Sequence, residues 1–251
     1  AESSHIVLNA HKINAGELIT LDNKNKDFFF FEKKDVRSVM GALVYLVKTR
    51  LPEYIGASPF EIQVLTPMRK GELGVEHLNE VLQYYLNPAS ESKKEKEGRT
   101  GVFREGDKVM QVKNNYKLEW KITNAKGFSI EEGLGVFNGD MGIIKQINTY
   151  SERITVVFDE NREAEYPFSS LDELELAYAI TIHKSQGSEY PAVVLPLLSG
   201  PPILCNRNLL YTAITRAQKC VAIAGRQSMV EQMIHNETEQ KRYSGLNDCL
   251  K

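Results

Sequence analysis

The sequence predicts an α/β protein: a mostly parallel sheet with flanking helices, interrupted by a small inserted β-barrel domain. Strand-like and helical patterns alternate in the first third of the chain and again from residue 177, which favours parallel strands covered by helices. The middle of the chain carries short β-type runs separated by turn signals, as in an antiparallel barrel. The length of 251 residues and the hydrophobic content of 42% allow one large domain or two smaller ones.

The first third of the chain is predicted to contain a strand, a helix, a second strand and a second helix. The aromatic run 28–31 is short and flanked by charge, which favours a buried strand over a helix. Apolar residues then recur with a helical period from Asp35, a suitable N-cap, to about Tyr54. A strand is predicted over 61–65, Thr66-Pro67 ends it, and a helix is predicted over 74–86.

The central segment changes character. Residues 87–101 include a charged run with little to bury, and we expect a mobile loop there. Further strands are predicted over 107–112, 142–147, 154–158, 178–182, 192–196 and 220–224, and a helix over 209–216. The expected domains are a discontinuous α/β domain of residues 1–112 and 172–251, with the barrel at 113–171.

Composition restricts the possible partners and the compartment. The formal net charge is −2, so any nucleic-acid site must be local. Cys205, Cys220 and Cys249 show no CxxC or zinc spacing, and their odd number argues against a disulfide framework. No membrane span or leader is seen, and we expect a cytoplasmic protein. The chain starts without Met, which suggests a piece of a longer protein.

The segment Thr181–Glu189 follows a predicted strand, where the substrates of parallel sheets bind. Backbone amides at such a turn can hold an anion, and four polar side chains suit sugar-phosphate contacts: Thr181, His183, Ser185 and Gln186. Glu189 can accept a hydrogen bond from a ribose hydroxyl. Taken alone, His183 fits a hydrogen-bonded structural residue at a strand end better than a ligand contact, and Gly187 can serve close strand-to-helix packing.

Two arginines are candidates for binding a phosphate. Arg216 ends the predicted helix 209–216 among small and apolar residues, and a guanidinium aimed at a γ-phosphate would act as an arginine finger. Arg69 follows the strand 61–65, and we expect it at the same sheet edge, converging with Arg216 on one phosphate. The alternatives are a surface or salt-bridged arginine at 216 and a solvated basic loop at 69.

Several catalytic signatures are missing. The sequence contains no G-x-x-x-x-G-K-[ST] phosphate loop, and its Asp-Glu pairs at 159–160 and 172–173 lie in predicted hairpins or linkers. No spacing typical of metal ligands or of a nucleophile–base pair is present.

Five ordered segments together carry a resemblance to a known family: 64–70 (VLTPMRK), 106–111 (GDKVMQ), 137–142 (FNGDMG), 181–189 (TIHKSQGSE) and 208–217 (NLLYTAITRA). They resemble the C-terminal motor half of superfamily-one DNA helicases, most specifically the RecD/TraA-type branch. The opening segment 4–17 is also similar to the family. The resemblance implies a second RecA-like domain that carries an inserted Src-homology-three-type barrel.

The resemblance also implies roles for particular residues. Arg69 and Arg216 would reach the γ-phosphate of ATP, and Gly187 and Glu189 would approach the nucleotide. The implied single-stranded DNA contacts are Thr66, Pro67, Thr181, His183, Ser185, Gln186, Asn138 and Gly139. The first motor domain, which would bind most of the ATP and the Mg²⁺, is missing from this sequence.

The resemblance therefore implies the C-terminal half of an ATP-dependent 5′-to-3′ DNA helicase that is inactive by itself. Its expected partners are single-stranded DNA and the N-terminal motor domain of the same protein, with no membrane and in a monomer. Two alternatives stay open: a non-catalytic nucleic-acid-binding module, and the helicase part of a conjugative relaxase. The pathway, whether repair, recombination or transfer, is not determined.

Overall fold

A five-stranded parallel sheet forms the centre of the computed structural model, which describes residues 4–238. Cys249 and residues 1–3 lie outside the described part. In spatial order the strands are β1 (Phe28–Glu32), β14 (Ala217–Gly225), β13 (Tyr190–Leu197), β2 (Ile62–Thr66) and β12 (Ala179–Thr181). All four neighbouring pairs are parallel, so the carboxyl ends of the strands meet at one edge.

Helices cover both faces of this sheet. They are α1 (His5–Asn14), α2 (Val36–Tyr45), α3 (Leu51–Ile55), α4 (Val75–Leu86), α5 (Arg207–Ile214) and α6 (Gln227–His235). Neighbouring residues of one strand join different cores, because successive side chains point to opposite faces. Ala192 and Val194 pack in the core that contains α2 and α4, whereas Val193 and Leu195 pack in the core that contains α1, α5 and α6. The predicted parallel sheet with flanking helices is confirmed.

The first predicted helix begins as expected. The Asp35 carboxylate accepts a hydrogen bond from the Ser38 amide at 2.8 Å and caps α2. This contact lowers the pKa of Asp35. Residues 46–50 form a π-helical turn that leads directly into α3. The helical pattern from Asp35 to Tyr54 is thus one continuous helical segment with an irregular middle.

The second sheet is antiparallel and has seven strands. They are β5 (Lys108–Gln111), β6 (Asn115–Thr123), β7 (Ser129–Val136), β8 (Met141–Asn148), β9 (Arg153–Phe158), β10 (Glu163–Pro167) and β11 (Leu174–Leu176). Their order is β11-β5-β8-β9-β10-β6-β7. The interior of this sheet, including Ile144, Val156 and Tyr166, joins the core under α2 and α4. The small β domain therefore packs on that side of the parallel sheet.

Two sequence expectations differ from the structure. Segment 87–101 is not a loop throughout, because β3 (Glu95–Glu97) pairs with β4 (Val102–Arg104) and the Glu95 carboxylate binds Arg104 at 2.7 Å. The hairpin is held by this cross-strand ion pair and by Phe103 of β4, which lies beyond the charged run and is buried in the core. The barrel limits of 113–171 stay a prediction, although β5 and β11 pair in the antiparallel sheet from outside those limits. Helices α1 and α6 and strands β6, β7, β10 and β11 were not predicted.

Candidate functional site

The segment between β12 and β13 is a tight turn held by its own side chains. The hydroxyl of Ser185, which is fully buried, donates to the carbonyl of Ile182 at 2.6 Å. The Lys184 amide donates to the Thr181 hydroxyl at 3.3 Å. Since these two hydroxyls are used inside the turn, Ser185 and Thr181 shape the segment. The side chains of His183 and Gln186 remain exposed to solvent.

Three of the four residues predicted to contact the nucleotide lie together. Arg216 donates from Nη1 to the Ser188 carbonyl at 3.1 Å, between Gly187 and Glu189 in the chain. Gln218, two residues after Arg216, donates to Glu189 Oε2 at 3.3 Å. Gly187 is exposed, with open space where a side chain would stand. The structure thus joins one guanidinium, one carboxylate and an accessible backbone at the start of β13 and β14.

Two polar atoms at this site are buried without a hydrogen-bond partner among the described residues: Nε of Arg216 and the hydroxyl oxygen of Tyr190. Burial raises the pKa of Tyr190, so its hydroxyl stays protonated. A buried polar atom without a partner costs free energy, typically about 1–3 kcal/mol. Such atoms at a predicted phosphate site favour a ligand or a rearrangement that satisfies them.

Arg69 does not converge with Arg216, which corrects the sequence expectation. Val64 of β2 pairs with Val194 of β13, which in turn pairs with Ala222 of β14, so these three residues lie at the same height in the sheet. Arg216 precedes that level by about 20 Å of strand, at the amino edge, whereas Arg69 follows the carboxyl end of β2. The expectation failed because the helix bearing Arg216 returns the chain to the opposite edge.

The surroundings of Arg69 also differ from those of a phosphate ligand. Its guanidinium donates to Glu175 Oε1 at 2.7 Å, and Nε lies 4.0 Å from the Glu76 carboxylate at the start of α4. These contacts raise the pKa of Arg69, led by the hydrogen bond to Glu175. They place Arg69 on the α4 face, and Arg216 follows α5 on the other face. Arg69 is therefore a salt-bridged arginine, which was not the alternative considered for it: the sequence offered a solvated basic loop at this position.

The predicted DNA contacts divide into two groups. Asn138, in the turn between β7 and β8, accepts a hydrogen bond from Lys184 Nζ at 3.3 Å. This bond links the turn containing Asn138 and Gly139 to the 181–189 segment. Thr66 and Pro67 are buried, and the Thr66 hydroxyl donates to the Leu73 carbonyl at 2.7 Å. Thr66 thus fixes its own loop, and its DNA contact stays a prediction.

Sequence reasoning missed a group of buried polar side chains that connects the two sheets; it centres on Gln63, Asp107 and Lys108, and we call it the polar joint. Lys108 of β5 is buried and donates from Nζ to the Phe60 carbonyl at 2.7 Å and to Gln63 Oε1 at 2.8 Å. Gln63 of β2 in turn donates to the carbonyls of Ala177 and Tyr178. Burial lowers the pKa of Lys108 from 10.5 to about 7. Its signal was the motif Gly106-Asp107-Lys108, which carries two adjacent charges directly before an apolar strand.

The neighbouring carboxylate completes the joint. Asp107 accepts hydrogen bonds from Gln83 at 2.7 Å, from Asn87 at 2.8 Å and from the Tyr178 hydroxyl at 2.8 Å. Burial still raises the pKa of Asp107. The joint therefore ties α4, β5 and the segment before β12 into one hydrogen-bonded unit.

Within residues 4–238, no group of three or more His, Cys, Asp or Glu side chains is arranged to hold a metal ion. In the same range, none of the helices combines the length and apolar character needed to span a membrane.

Two family models match the chain. Residues 78–158 match the ATP-dependent RecD-like DNA helicase SH3 domain, and residues 176–224 match the UvrD-like helicase C-terminal domain. The first match contains the β5–β9 strands of the antiparallel sheet, and the second contains β12, β13 and Arg216.

Curated relatives extend this similarity. Over 167 residues the chain is 39% identical to the ATP-dependent RecD2 DNA helicase of Deinococcus radiodurans, covering 66% of this chain and 20% of that protein. Over 191 residues it is 30% identical to the RecBCD enzyme subunit RecD of Mycolicibacterium smegmatis, covering 76% of this chain and 29% of that protein. The chain thus spans less than a third of either relative.

Among solved structures, the chain is similar to Pif1 helicase from Bacteroides in complex with ADP-AlF3 and single-stranded DNA. The alignment covers 92% of this chain and 51% of the Pif1 chain, with a TM-score of 0.49 and 17% sequence identity.

Proposed function

We propose that this chain, which carries the C-terminal domains of a RecD-like superfamily-one helicase, is the second motor half of an ATP-dependent DNA helicase. The resemblance found in the sequence agrees with the two matched domains. Because the relatives are three to five times longer than their matched parts, helicase activity belongs to a longer protein in this proposal. Movement from 5′ to 3′ on single-stranded DNA is part of the same proposal.

The grouping of Arg216, Glu189 and Gly187 is the observation that carries the proposal. A guanidinium beside an exposed backbone suits a γ-phosphate, whose charge spreads over three oxygens during phosphoryl transfer. The Glu189 carboxylate suits a ribose hydroxyl. ATP supplies the phosphoryl group, and Mg²⁺ would be held mainly by the other motor domain. Arg69 has no part in this site, because its ion pair lies on the opposite face.

The hydrogen bonds of the Arg216 side chain also support its role as an arginine finger that turns toward ATP. Its Nη1 binds only a neutral carbonyl, that of Ser188, and Nε has no partner within the described chain. An arginine held by carboxylates would lose ion pairs on turning toward a phosphate, whereas Arg216 loses only hydrogen bonds to two neutral acceptors, the Ser188 carbonyl at 3.1 Å and the Thr215 hydroxyl at 3.5 Å. Arg216 is thus free to exchange a weak contact for a strong one when ATP binds.

Single-stranded DNA would cross the surface formed by the 181–189 segment and the β7–β8 turn. The bond between Lys184 and Asn138 joins these two parts. His183 and Gln186 offer exposed polar groups beside them. Gly139 adds an accessible backbone, and such contacts suit phosphate and sugar rather than base edges. We propose these residues as backbone contacts, and the cytoplasmic location and monomeric state remain sequence predictions.

The test is to assay ATP hydrolysis by the 251-residue chain alone and after mixing with the matching N-terminal motor half, with and without single-stranded DNA. We expect no turnover from either part alone and DNA-stimulated turnover from the mixture. DNA-stimulated hydrolysis by this chain alone would refute the split site. DNA binding by a mixture that never hydrolyses ATP would favour a non-catalytic binding module.

A further inference from the structure

An exposed aromatic pair lies beside the proposed DNA path. The rings of Tyr116 and Phe137 meet edge to face, with centroids 5.5 Å apart and planes at 65°. Tyr116 is 69% exposed and Phe137 is 41% exposed. Burying such rings is favourable, so two contacting aromatic residues left in solvent at one place indicate a surface that something covers.

The backbone around Phe137 is fixed. Its amide donates to Asp140 Oδ2 at 2.9 Å, and the next amide, that of Asn138, donates to Asn114 Oδ1 at 2.9 Å. Gly135 has a φ of +101°, and a Cβ there would lie 2.7 Å from the Phe137 ring. Only glycine permits both this backbone conformation and the ring placed over it. The backbone that carries the Phe137 ring is therefore fixed before any ligand arrives.

The position of the pair identifies its ligand. Phe137 immediately precedes Asn138, whose side chain binds Lys184 of the 181–189 segment. Single-stranded nucleic acid needs both a cation for its phosphates and a flat apolar surface for its bases, and proteins that bind it combine these features.

We propose that Tyr116 and Phe137 form a stacking platform for a base of single-stranded DNA, next to the backbone contacts of Asn138 and Lys184. The inference rests on the proposed function and adds base contacts to it. Stacking accepts every base because each has a π face, so the platform grips the strand without selecting its sequence. The antiparallel domain then holds bases while the 181–189 segment holds phosphates.

The experiment measures binding of the 251-residue chain and its variants to a fluorescent oligo(dT) strand and to a strand of equal length with abasic sites. Tyr116→Ala is expected to weaken oligo(dT) binding about fivefold to 100-fold. Tyr116→Trp should retain the affinity, since stacking needs only a ring. Tyr150→Ala is the matched control, because Tyr150 is 96% exposed on another turn of the same domain.

Abasic DNA separates stacking from other contacts. If the platform stacks a base, the wild-type chain binds the abasic strand more weakly, and Tyr116→Ala changes that affinity little. Equal oligo(dT) affinity of Tyr116→Ala and wild type would overturn the platform. Equal losses on both strands would also overturn it, because they indicate a backbone contact. A wild-type chain that binds neither strand would instead count against the proposed DNA path itself.

Discussion

The amide of Tyr190 donates a hydrogen bond to the carbonyl of Arg216 at 2.9 Å, and each of the two side chains carries one buried polar atom that has no partner among the described residues. Tyr190 is the first residue of β13, and Arg216 immediately precedes the neighbouring strand β14. The guanidinium thus stands on a rigid sheet edge while its own hydrogen-bonding capacity is incomplete. This combination fits a group that engages a phosphate only when the N-terminal motor domain closes on it.

The first prediction concerns Arg216. In the complete enzyme, Arg216→Ala should lower the rate of ATP hydrolysis about a thousandfold or more, because an arginine finger contributes that much to phosphoryl transfer. DNA affinity should change little, since the proposed DNA contacts do not include Arg216. Turnover and oligonucleotide binding, measured on the same preparation, check both parts.

A suitable control for that variant is Arg153→Ala, because Arg153 is an exposed arginine of β9 that lies 4.0 Å from the Glu165 carboxylate. It should leave hydrolysis unchanged. Near-normal turnover of the Arg216 variant would remove the finger assignment.

The second prediction concerns Lys184. Replacing Lys184 with Ala should weaken single-stranded DNA binding and reduce the dependence of the affinity on salt by about one phosphate contact. The reason is that a lysine bound to a phosphate displaces counterions from the DNA, so removing one such lysine makes the affinity less sensitive to salt. Titrations over a range of salt concentrations give the slope. The control is Lys145→Ala, which removes the ion pair between Lys145 of β8 and Glu163 of β10 and should leave the salt dependence unchanged. An unchanged slope in both variants would place the DNA elsewhere.

The third prediction uses the pKa of Lys108. Burial favours the neutral amine, so between about pH 7 and the usual lysine pKa of 10.5 the unfolded chain binds more protons than the folded one. The free energy of unfolding contributed by this group therefore rises as the pH rises above about 7. Lys108→Met should lose that part of the pH dependence.

The measurement for Lys108 is chemical denaturation at several values between about pH 7 and about pH 8, where an ordinary cysteine thiol, with a pKa of about 8.5, is still mostly protonated. The upper limit matters because burial also raises the pKa of the Cys220 thiol to about 12. Wild type and Lys108→Met with parallel stability profiles would show that the amine is charged in the folded protein.

The fourth prediction compares two glycines. A Cβ at Gly225, the last residue of β14, would lie 1.9 Å from the Leu197 carbonyl oxygen. Gly225→Ala should therefore lower the free energy of unfolding by about 1–3 kcal/mol or more. Gly41 lies inside α2 with nothing within 4 Å of an added Cβ, and Gly41→Ala should stabilise the protein by about 0.5–1 kcal/mol. Thermal unfolding of both variants tests this, and a stable Gly225 variant would show that β13 and β14 can separate.

Local patterns determined much of this protein. The helical period after Asp35, the cap itself and the apolar strand runs at 28–31, 61–65 and 192–196 all correspond to elements of the structure, because these signals act within one or two turns of chain. The order of the five motif segments led to the helicase resemblance, and the domain matches agree with it. The 181–189 segment and Arg216 were singled out together, and the structure places them in contact.

Only the tertiary structure decided which distant residues meet. Arg69 and Arg216 both looked like strand-end arginines, yet a helix that returns the chain to the amino edge separates them onto opposite faces. The Tyr116–Phe137 pair depends on the pairing of β6 with β7, and the Lys108–Gln63 hydrogen bond joins strands of two different sheets, so neither contact lies within one local segment. Periodicity fixes which side of an element is buried, but the partner across a sheet is set by the packing of the whole chain.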